Sequence, residues 1–519
     1  MEAEAHVETQ TKNIPVAMIL HTLVGVGLMF SGLFLPNLSV VAEPTAKLLE
    51  LGLPQVDGGV LVEVTRMGMI VTMIFLGVVY LWTFVDTLWP GFLGLLMLIF
   101  CGYAPANKVL SMFFGNPMVV MIFFLMIFAS AIVHSNIASW LARWLMTRDF
   151  IEGRPWVMTA TFLIGTYFVA FLDQVTVCIL MCPILFSLFE QTGYKKGDRY
   201  VSIMTVYVVI AVLCSFATDP FKGGAFYLLI NLQSLAATDS GMAVPVLNTA
   251  AYLLFGVVIS LTSIAMLLLL MRFVFRVDVS PLLRLNVAAL KKEAPLPPLT
   301  PNQKVLLGIF CFYALWLLLP SIIGKESAVG AFLTRNTMAG SAVAVLLLCI
   351  IPVKGRPVAD ICVSNAVYPW RVFFLIAFAM LLGGAMTAKG TNVSLWMECV
   401  MRGLLSGFSV SALTIAVILL GISLTNFCNS VVLGLVLTPV LLAVSHAFGF
   451  SSAPIMACFI FAVLIAACTP AASPFAAMLF GHSKWVAKAD IITHSVIASA
   501  VVAGVVIIVG MPLATLFFG

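Results

Sequence analysis

Charge is what this sequence has least of. Only 9% of its 519 residues are Asp, Glu, Lys or Arg, against 62% hydrophobic residues, and the mean hydropathy is +1.15. A soluble chain of this length needs about 25% charged residues to dress its surface. The composition therefore excludes an ordinary water-soluble domain and predicts a surface facing lipid. Histidine is scarce too: the six His include no HExxH pair, which excludes the helix-borne zinc site of that pattern. A Gly-x-Gly-Asp pair and a Gly-x-Ser-x-Gly elbow are also missing, so an intramembrane enzyme is only a remote alternative. The net charge of +5 comes mostly from the loops and leaves no clustered basic face for nucleic acid. The alternating pattern of a membrane barrel is absent, and helices are the expected spanning element because lipid leaves no backbone group unpaired. No short apolar run ends in a small-residue cleavage site, so no removable signal peptide is expected, and Ile14 to Pro36 reads as a retained first helix. The eleven Cys fall mainly within apolar spans. Cys178 and Cys182, four apart on one helix face, read as small packing residues rather than a metal or disulfide pair.

Against that apolar background one stretch stands out, AFLDQVTVCILMCP from Ala170 to Pro183, with Asp173 and Gln174 in its middle. A relative, TNFCNSVVLGLVLTP, runs from Thr425 to Pro439. With Pro183 laid over Pro439, Asp173 faces Asn429 and Gln174 faces Ser430. After one more apolar span, each is followed by a second interrupted segment: SFATDPFKGGAF (Ser215 to Phe226) and ACTPAASPFAAMLFG (Ala467 to Gly481). There Asp219-Pro220-Phe221 lies over Ser473-Pro474-Phe475. Polar, Pro- and Gly-broken segments in corresponding places of two halves are the sequence sign of a transporter's binding site. A secondary transporter is the reading they support. A channel would need a continuous polar lining, whereas these groups cluster at two places.

Organisation follows from the same pairing. Residues 1–13 are polar. Spans of crossing length are expected at Arg66 to Phe84 and Thr87 to Tyr103, with a mixed segment to Val64 outside the membrane. These make an N-terminal scaffold unit, 1–115. A first repeat, 116–275, holds an apolar helix Met118 to His134, an interfacial helix around Trp140, Arg143 and Trp144, the Asp173 hairpin, and a span Tyr200 to Phe216 broken before a short half-helix. Residues 276–303, rich in proline and flanked by basic residues, form a linker with a surface helix Pro281 to Lys292, placed on the cytoplasmic side by the positive-inside bias. Two further scaffold spans, Val305 to Leu319 and Met338 to Ile351, lie in 304–367. The second repeat, 368–519, carries the amphipathic stretch Val393 to Leu404, the Asn429 hairpin, the Thr469 to Pro474 break and a final helix from Ile491 to Phe518. The fold class expected is an all-α polytopic membrane protein with re-entrant hairpins and broken helices. An odd number of crossings per repeat would make the two repeats inverted and bring the hairpin tips together at mid-depth.

The residue types suit ion and solute binding. A half-helix ending inside the membrane exposes N–H or C=O groups, its N-terminus favouring an anion and its C-terminus a cation. Asp173, Thr218, Asp219, Asn426, Asn429, Thr469 and Ser473 are the candidate ion ligands, hard oxygens that suit Na+. Gln174, Val175, Pro220, Lys222, Asn429, Ser430 and Pro474 are the candidate substrate contacts, and Gly223 and Gly224 would admit a ligand close to the main chain. The plainer alternatives are interhelical hydrogen bonds for Asn426, Asn429 and Ser430, satisfied carbonyls for Thr218 and Thr469, and a headgroup-level position for Lys222. A carboxylate inside a span is functional by default, which assigns Asp173 to coupling or gating.

The two-hairpin plan, from about Phe92 onward, resembles the divalent anion/sodium symporters, carriers of dicarboxylates, tricarboxylates and sulfate, within a wider ion-transporter superfamily. That family carries a Ser-Asn-Thr motif at each hairpin tip. Here the second copy survives loosely as Cys428-Asn429-Ser430, while Leu172-Asp173-Gln174 is closer to the FLDNVT pattern of the citrate-transporter-like and arsenite-permease-like branches. The resemblance implies Na+ coupling, with Asn429, Ser430 and Thr469 as the sodium site, and a homodimer working by an elevator motion in a bacterial inner membrane. It implies no cofactor beyond the coupling ion. Proton coupling and Na+/H+ antiport remain the alternatives, because Asp173 stands where the family has Asn and Lys222 stands opposite Ala476. Lys222 then reads as a tethered cation in place of one sodium, or as a contact for an anionic substrate.

Overall fold

The computed structural model describes residues 16–519 apart from 45, 57, 147, 238–243, 285–295, 325, 360–367, 405, 406, 428 and 483. The polar N-terminus, most of the expected surface helix Pro281 to Lys292, and Cys428 lie outside the described residues. Of that surface helix, a 3-10 turn over Ser280–Arg284 is seen. Nine described helices are long and apolar enough to cross a bilayer, or ten if one bent pair counts as a single span.

The N-terminal unit opens with α1 (Val16–Ser31) and closes with α3 (Arg66–Phe84), α4 (Trp89–Phe100) and α5 (Ala106–Phe113). Between α1 and α3, where only a mixed segment was expected, lies a small sheet beside a short helix α2 (Ala46–Glu50). Its strands β1 (Ser39–Ala42), β2 (Gln55–Val56) and β3 (Gly59–Glu63) pair antiparallel in the order β1-β3-β2. The chain is therefore mostly rather than wholly helical. The cause is local: alternating valines on β3 bury Val60 and Val62 against Leu48, the period-2 pattern of a half-buried strand. The span expected over Thr87 to Tyr103 is also corrected. Helix α4 has 12 residues, too few to cross the hydrocarbon.

The first repeat runs α6 (Pro117–His134), α7 (Ile137–Met146), α8 (Pro155–Ala170), α9 (Gln174–Thr192), α10 (Arg199–Thr218), α11 (Gly224–Ala236) and α12 (Thr249–Leu269). After α13 (Pro301–Ile323), α14 (Ala328–Arg335) and α15 (Ala339–Ile350), a two-stranded ribbon of β4 (Pro352–Val353) and β5 (Arg356–Pro357) follows. Helices α14 and α15 meet at 86°; the span expected over Met338 to Ile351 is α15 alone, which at 12 residues is too short to cross by itself. The second repeat comprises α16 (Trp370–Thr387), α17 (Val393–Leu404), α18 (Val410–Thr425), α19 (Ser430–Phe448), α20 (Ser452–Val463), α21 (Pro474–Gly481), α22 (Lys488–Val505) and α23 (Met511–Phe518).

The leading helices and hairpins of the two repeats match in length. Helices α6 and α16 have 18 residues each, α8 and α18 have 16, and α9 and α19 have 19. Both α9 and α19 carry an internal proline, Pro183 and Pro439, and both stop at a left-handed glycine, Gly193 and Gly449, the usual helix terminator. Asn136 and Asn392 enter α7 and α17 at φ of 55° and 56°, a conformation asparagine tolerates better than most residues. Each repeat ends in a helix interrupted by a π turn, Leu270–Val274 after α12 and Val506–Gly510 after α22. Helix α10, almost entirely buried, is the axis of the core. Cys178 and Cys182 are free and fully buried, as packing residues should be.

Candidate functional site

Two helix N-termini converge on one cavity. Helix α9 starts at Asp173, whose Oδ2 accepts from the Thr176 N–H at 3.0 Å. Helix α19 starts at Asn429, whose Oδ1 accepts from the N–H groups of Val431 and Val432 at 3.1 and 3.2 Å. Carboxylate and amide oxygens are the preferred N-caps, each worth about 1 kcal/mol. The residues paired in the sequence thus do the same backbone job, and both line a cavity of about 430 Å³. That volume falls within the roughly 300–1,000 Å³ of small-molecule sites.

The first-half break is closed by a charge. Asp219, fully buried, ends α10. Its Oδ1 accepts from the N–H of Phe221 at 2.9 Å and of Lys222 at 3.4 Å, and its Oδ2 accepts from Gln174 Nε2 at 3.0 Å. The Lys222 side chain is 8% exposed and faces the cavity. Its ammonium makes no hydrogen bond or ion pair to any described residue, although its charge acts on Asp219. Burial rules out the headgroup-level position for Lys222. Thr218 turns away, donating to Cys214 O at 2.8 Å and lying 2.9 Å from Ser260 Oγ.

Neutral groups close the second-half break. Asn426 Oδ1 accepts from the N–H groups of Ala467 and Cys468 at 3.0 and 2.9 Å. Thr469 Oγ1 donates to Asn426 O at 2.6 Å, and Ser473 Oγ donates to Ala466 O at 2.7 Å while capping Ala476 N–H at 3.1 Å. The Ser430 N–H donates to Ala472 O at 3.1 Å, tying the hairpin tip to the break.

Of the residues singled out from sequence, Asp173, Gln174, Val175, Lys222, Asn429, Ser430 and Pro474 line the cavity. Thr218, Asp219, Pro220, Asn426, Thr469 and Ser473 are not in its lining and build the turns behind it. Gly223 and Gly224 also stay out of the lining: a Cβ on Gly224 would run into the Phe216 ring, and one on Gly223 would meet Asp219 Cβ at 2.7 Å. Their closeness serves the protein's own packing rather than a ligand. Sequence reasoning missed Ser130 on α6, Tyr227 on α11, and the rings Phe216 and Phe475, all of which line the cavity. The two rings meet edge to face at 5.2 Å between centroids. The aligned breaks had paired Phe475 with Phe221 instead. No signal marked Ser130, whereas a lone tyrosine in a half-helix beside a break was a usable one. Among the described residues no group of three or more His, Cys, Asp or Glu could hold a metal ion.

Comparison with known proteins places this geometry. The family model described as CitMHS, citrate transporter, matches residues 74–433, well over half of the chain. No curated protein matches the sequence. The crystal structure of the Alcanivorax borkumensis YdaH transporter, described as revealing an unusual topology, aligns with a TM-score of 0.57 at 12% identity, covering 96% of this chain and 97% of that one. At that identity the likeness shows the fold.

Proposed function

The chain belongs to the citrate transporter family, and from that premise we propose that it carries a di- or tricarboxylate, or a related oxyanion, across the membrane through the cavity between Asp173 and Asn429, driven by Na+. Family membership makes it a membrane transporter rather than an enzyme. The single observation that carries the solute reading is the cavity itself. It is lined by the α19 N-terminus, capped by the neutral Asn429 and so favourable to an anion, and by the ammonium of Lys222, which bonds no described residue.

Sodium is assigned to the second-half tip, at Asn429, Ser430 and Thr469. The hydroxyl oxygens of Ser430 and Thr469 keep lone pairs for a cation, and Asn429 shares its carbonyl oxygen with the helix cap. Matching hairpins and breaks in the two repeats support an inverted arrangement, with the hairpin-bearing helices sliding past the remaining spans as an elevator in a homodimer. Proton coupling is the second reading, favoured by a carboxylate, Asp173, in the cavity wall.

Uptake of labelled citrate, malate and succinate into proteoliposomes tests these readings. The expected result is uptake stimulated by an inward Na+ gradient and reduced at least about tenfold in Lys222→Ala, the loss of one charge-assisted contact. Stimulation by a pH gradient alone, abolished in Asp173→Asn, transfers the coupling to protons. Sodium efflux driven by a pH gradient with no organic solute would make the chain an antiporter. Absence of uptake of every carboxylate would end the solute reading.

A further inference from the structure

At the two hairpin tips the free hydrogen-bonding atoms are sorted by sign, and the sorting follows from bonds already made. Gln174 has one donor group and one acceptor atom at its tip. Its Nε2 is held by the carboxylate of Asp219, an acceptor, at 3.0 Å, so Oε1 is the atom left over. Asp173 uses Oδ2 to cap α9, which leaves Oδ1. Asn429 is the mirror case. Its Oδ1 is taken by two backbone N–H groups, so the Nδ2 amide is left over, next to the hydroxyl of Ser430. All four residues line the cavity, and none of the leftover atoms has a hydrogen bond to a described residue. The first-half wall therefore offers the acceptor oxygens of two consecutive residues, beside the ammonium of Lys222. The second-half wall offers amide donors, a hydroxyl and a helix N-terminus.

Carboxylates are acceptors only. They suit the second-half wall and Lys222, and they are repelled by the Asp173 and Gln174 oxygens. A solute that fills the cavity needs a donor for that other wall. Resting on the carboxylate-carrier reading, we infer that Asp173 and Gln174 form a specificity subsite that accepts a hydrogen bond from a hydroxyl group of the solute, so that the carrier selects hydroxy-carboxylates over their deoxy counterparts. Asp219 is the positioning residue: by holding Nε2 it fixes which end of Gln174 the solute meets. The hydroxyl proton stays on the solute and no bond is made or broken.

Matched pairs of equal charge isolate this effect: malate against succinate, and citrate against tricarballylate, at a pH where every carboxyl is ionised. Binding to the purified full chain is measured by calorimetry at fixed Na+. The expected result is a preference of about tenfold for the hydroxy member of each pair, the worth of one hydrogen bond to a charged group. Asp173→Asn should erase the preference. Asn caps α19 at the equivalent place, so the variant keeps its helix start while turning an amide donor toward the solute. Gln174→Met should weaken the preference by removing the second acceptor. A change in the coupling ion acts on both members of a pair alike and leaves the ratio unchanged. Equal binding within pairs by the wild-type chain, or a preference that survives both substitutions, overturns the subsite while leaving the carrier reading standing. Failure of all four compounds to bind overturns both.

Discussion

At the first-half break one buried carboxylate gathers three N–H donors, while at the second-half break an asparagine and two hydroxyls share the same work. The helices on either side of the breaks differ in length, with 20 and 13 residues in the first half against 12 and 8 in the second, and so does the chemistry. Asp219 needs a compensating charge because a buried ion is costly alone, and Lys222 on the next turn supplies it. Ser473, its counterpart in the alignment, needs none, and Ala476 stands where Lys222 would be. The two hairpins thus share their helix lengths and N-caps, while one half holds fixed charge at its break and the other stays neutral. A neutral half can take a mobile cation, and a charged half can discriminate among anions.

The sharpest test of that contrast is Asp219→Ala. It strands three N–H donors, those of Phe221, Lys222 and Gln174, and removes the negative charge nearest Lys222, and the expected loss is about 3–5 kcal/mol of stability, measured by denaturant unfolding in detergent. The double variant Asp219→Asn with Lys222→Met should recover much of that loss; additive losses would mean that the two charges are not coupled. Asn426→Ala, the corresponding cut in the neutral half, strands the buried N–H groups of Ala467 and Cys468. It should cost about 2–3 kcal/mol, with no second-site neutralisation able to restore it.

The smallest expected effect concerns how the leading helices of the repeats are anchored. Arg371 at the start of α16 bonds Asp86, in the turn between α3 and α4, at 2.8 Å, and Met118 holds the corresponding place on α6. Burial alone would raise the Asp86 pKa, yet the Leu88 N–H and the Arg371 guanidinium together hold it below the usual carboxylate range. A depressed pKa stabilises the fold above the ordinary Asp value and loses that contribution as pH falls through the depressed one. Asp86→Asn should therefore lower stability at neutral pH by less than about 1 kcal/mol, because solvent screens a largely exposed pair. The difference from wild type should vanish in acid, as read by thermal unfolding across pH.

Both hairpins were legible in the sequence because Asp173-Gln174 and Asn429-Ser430 interrupt apolar runs in register with Pro183 and Pro439. That argument needs only local composition and a repeat. The broken helices were legible for the same reason, with Pro and Gly at matching offsets. What the sequence did not reveal depends on tertiary partners. Nothing near Asn426 announces that it will staple Ala467 and Cys468, and nothing near Gln174 announces that Asp219 will claim its amide. The sheet over Ser39 to Glu63 was hidden because its strands are short and set between Pro44, Pro54 and a glycine pair. The bend between α14 and α15 was hidden because α14, eight residues ending at Arg335, carries too short an apolar run to announce itself beside the expected span Met338 to Ile351.

Phe216 stands before one break and Phe475 after the other, and their rings touch. Protein interiors are packed nearly as tightly as organic crystals, so neither ring can shift far without opening a hole or taking its neighbour along. A push on the Lys222 turn is therefore delivered to the helix that begins at Pro474. Two segments some 250 residues apart in the sequence thus answer to a load as a single joint.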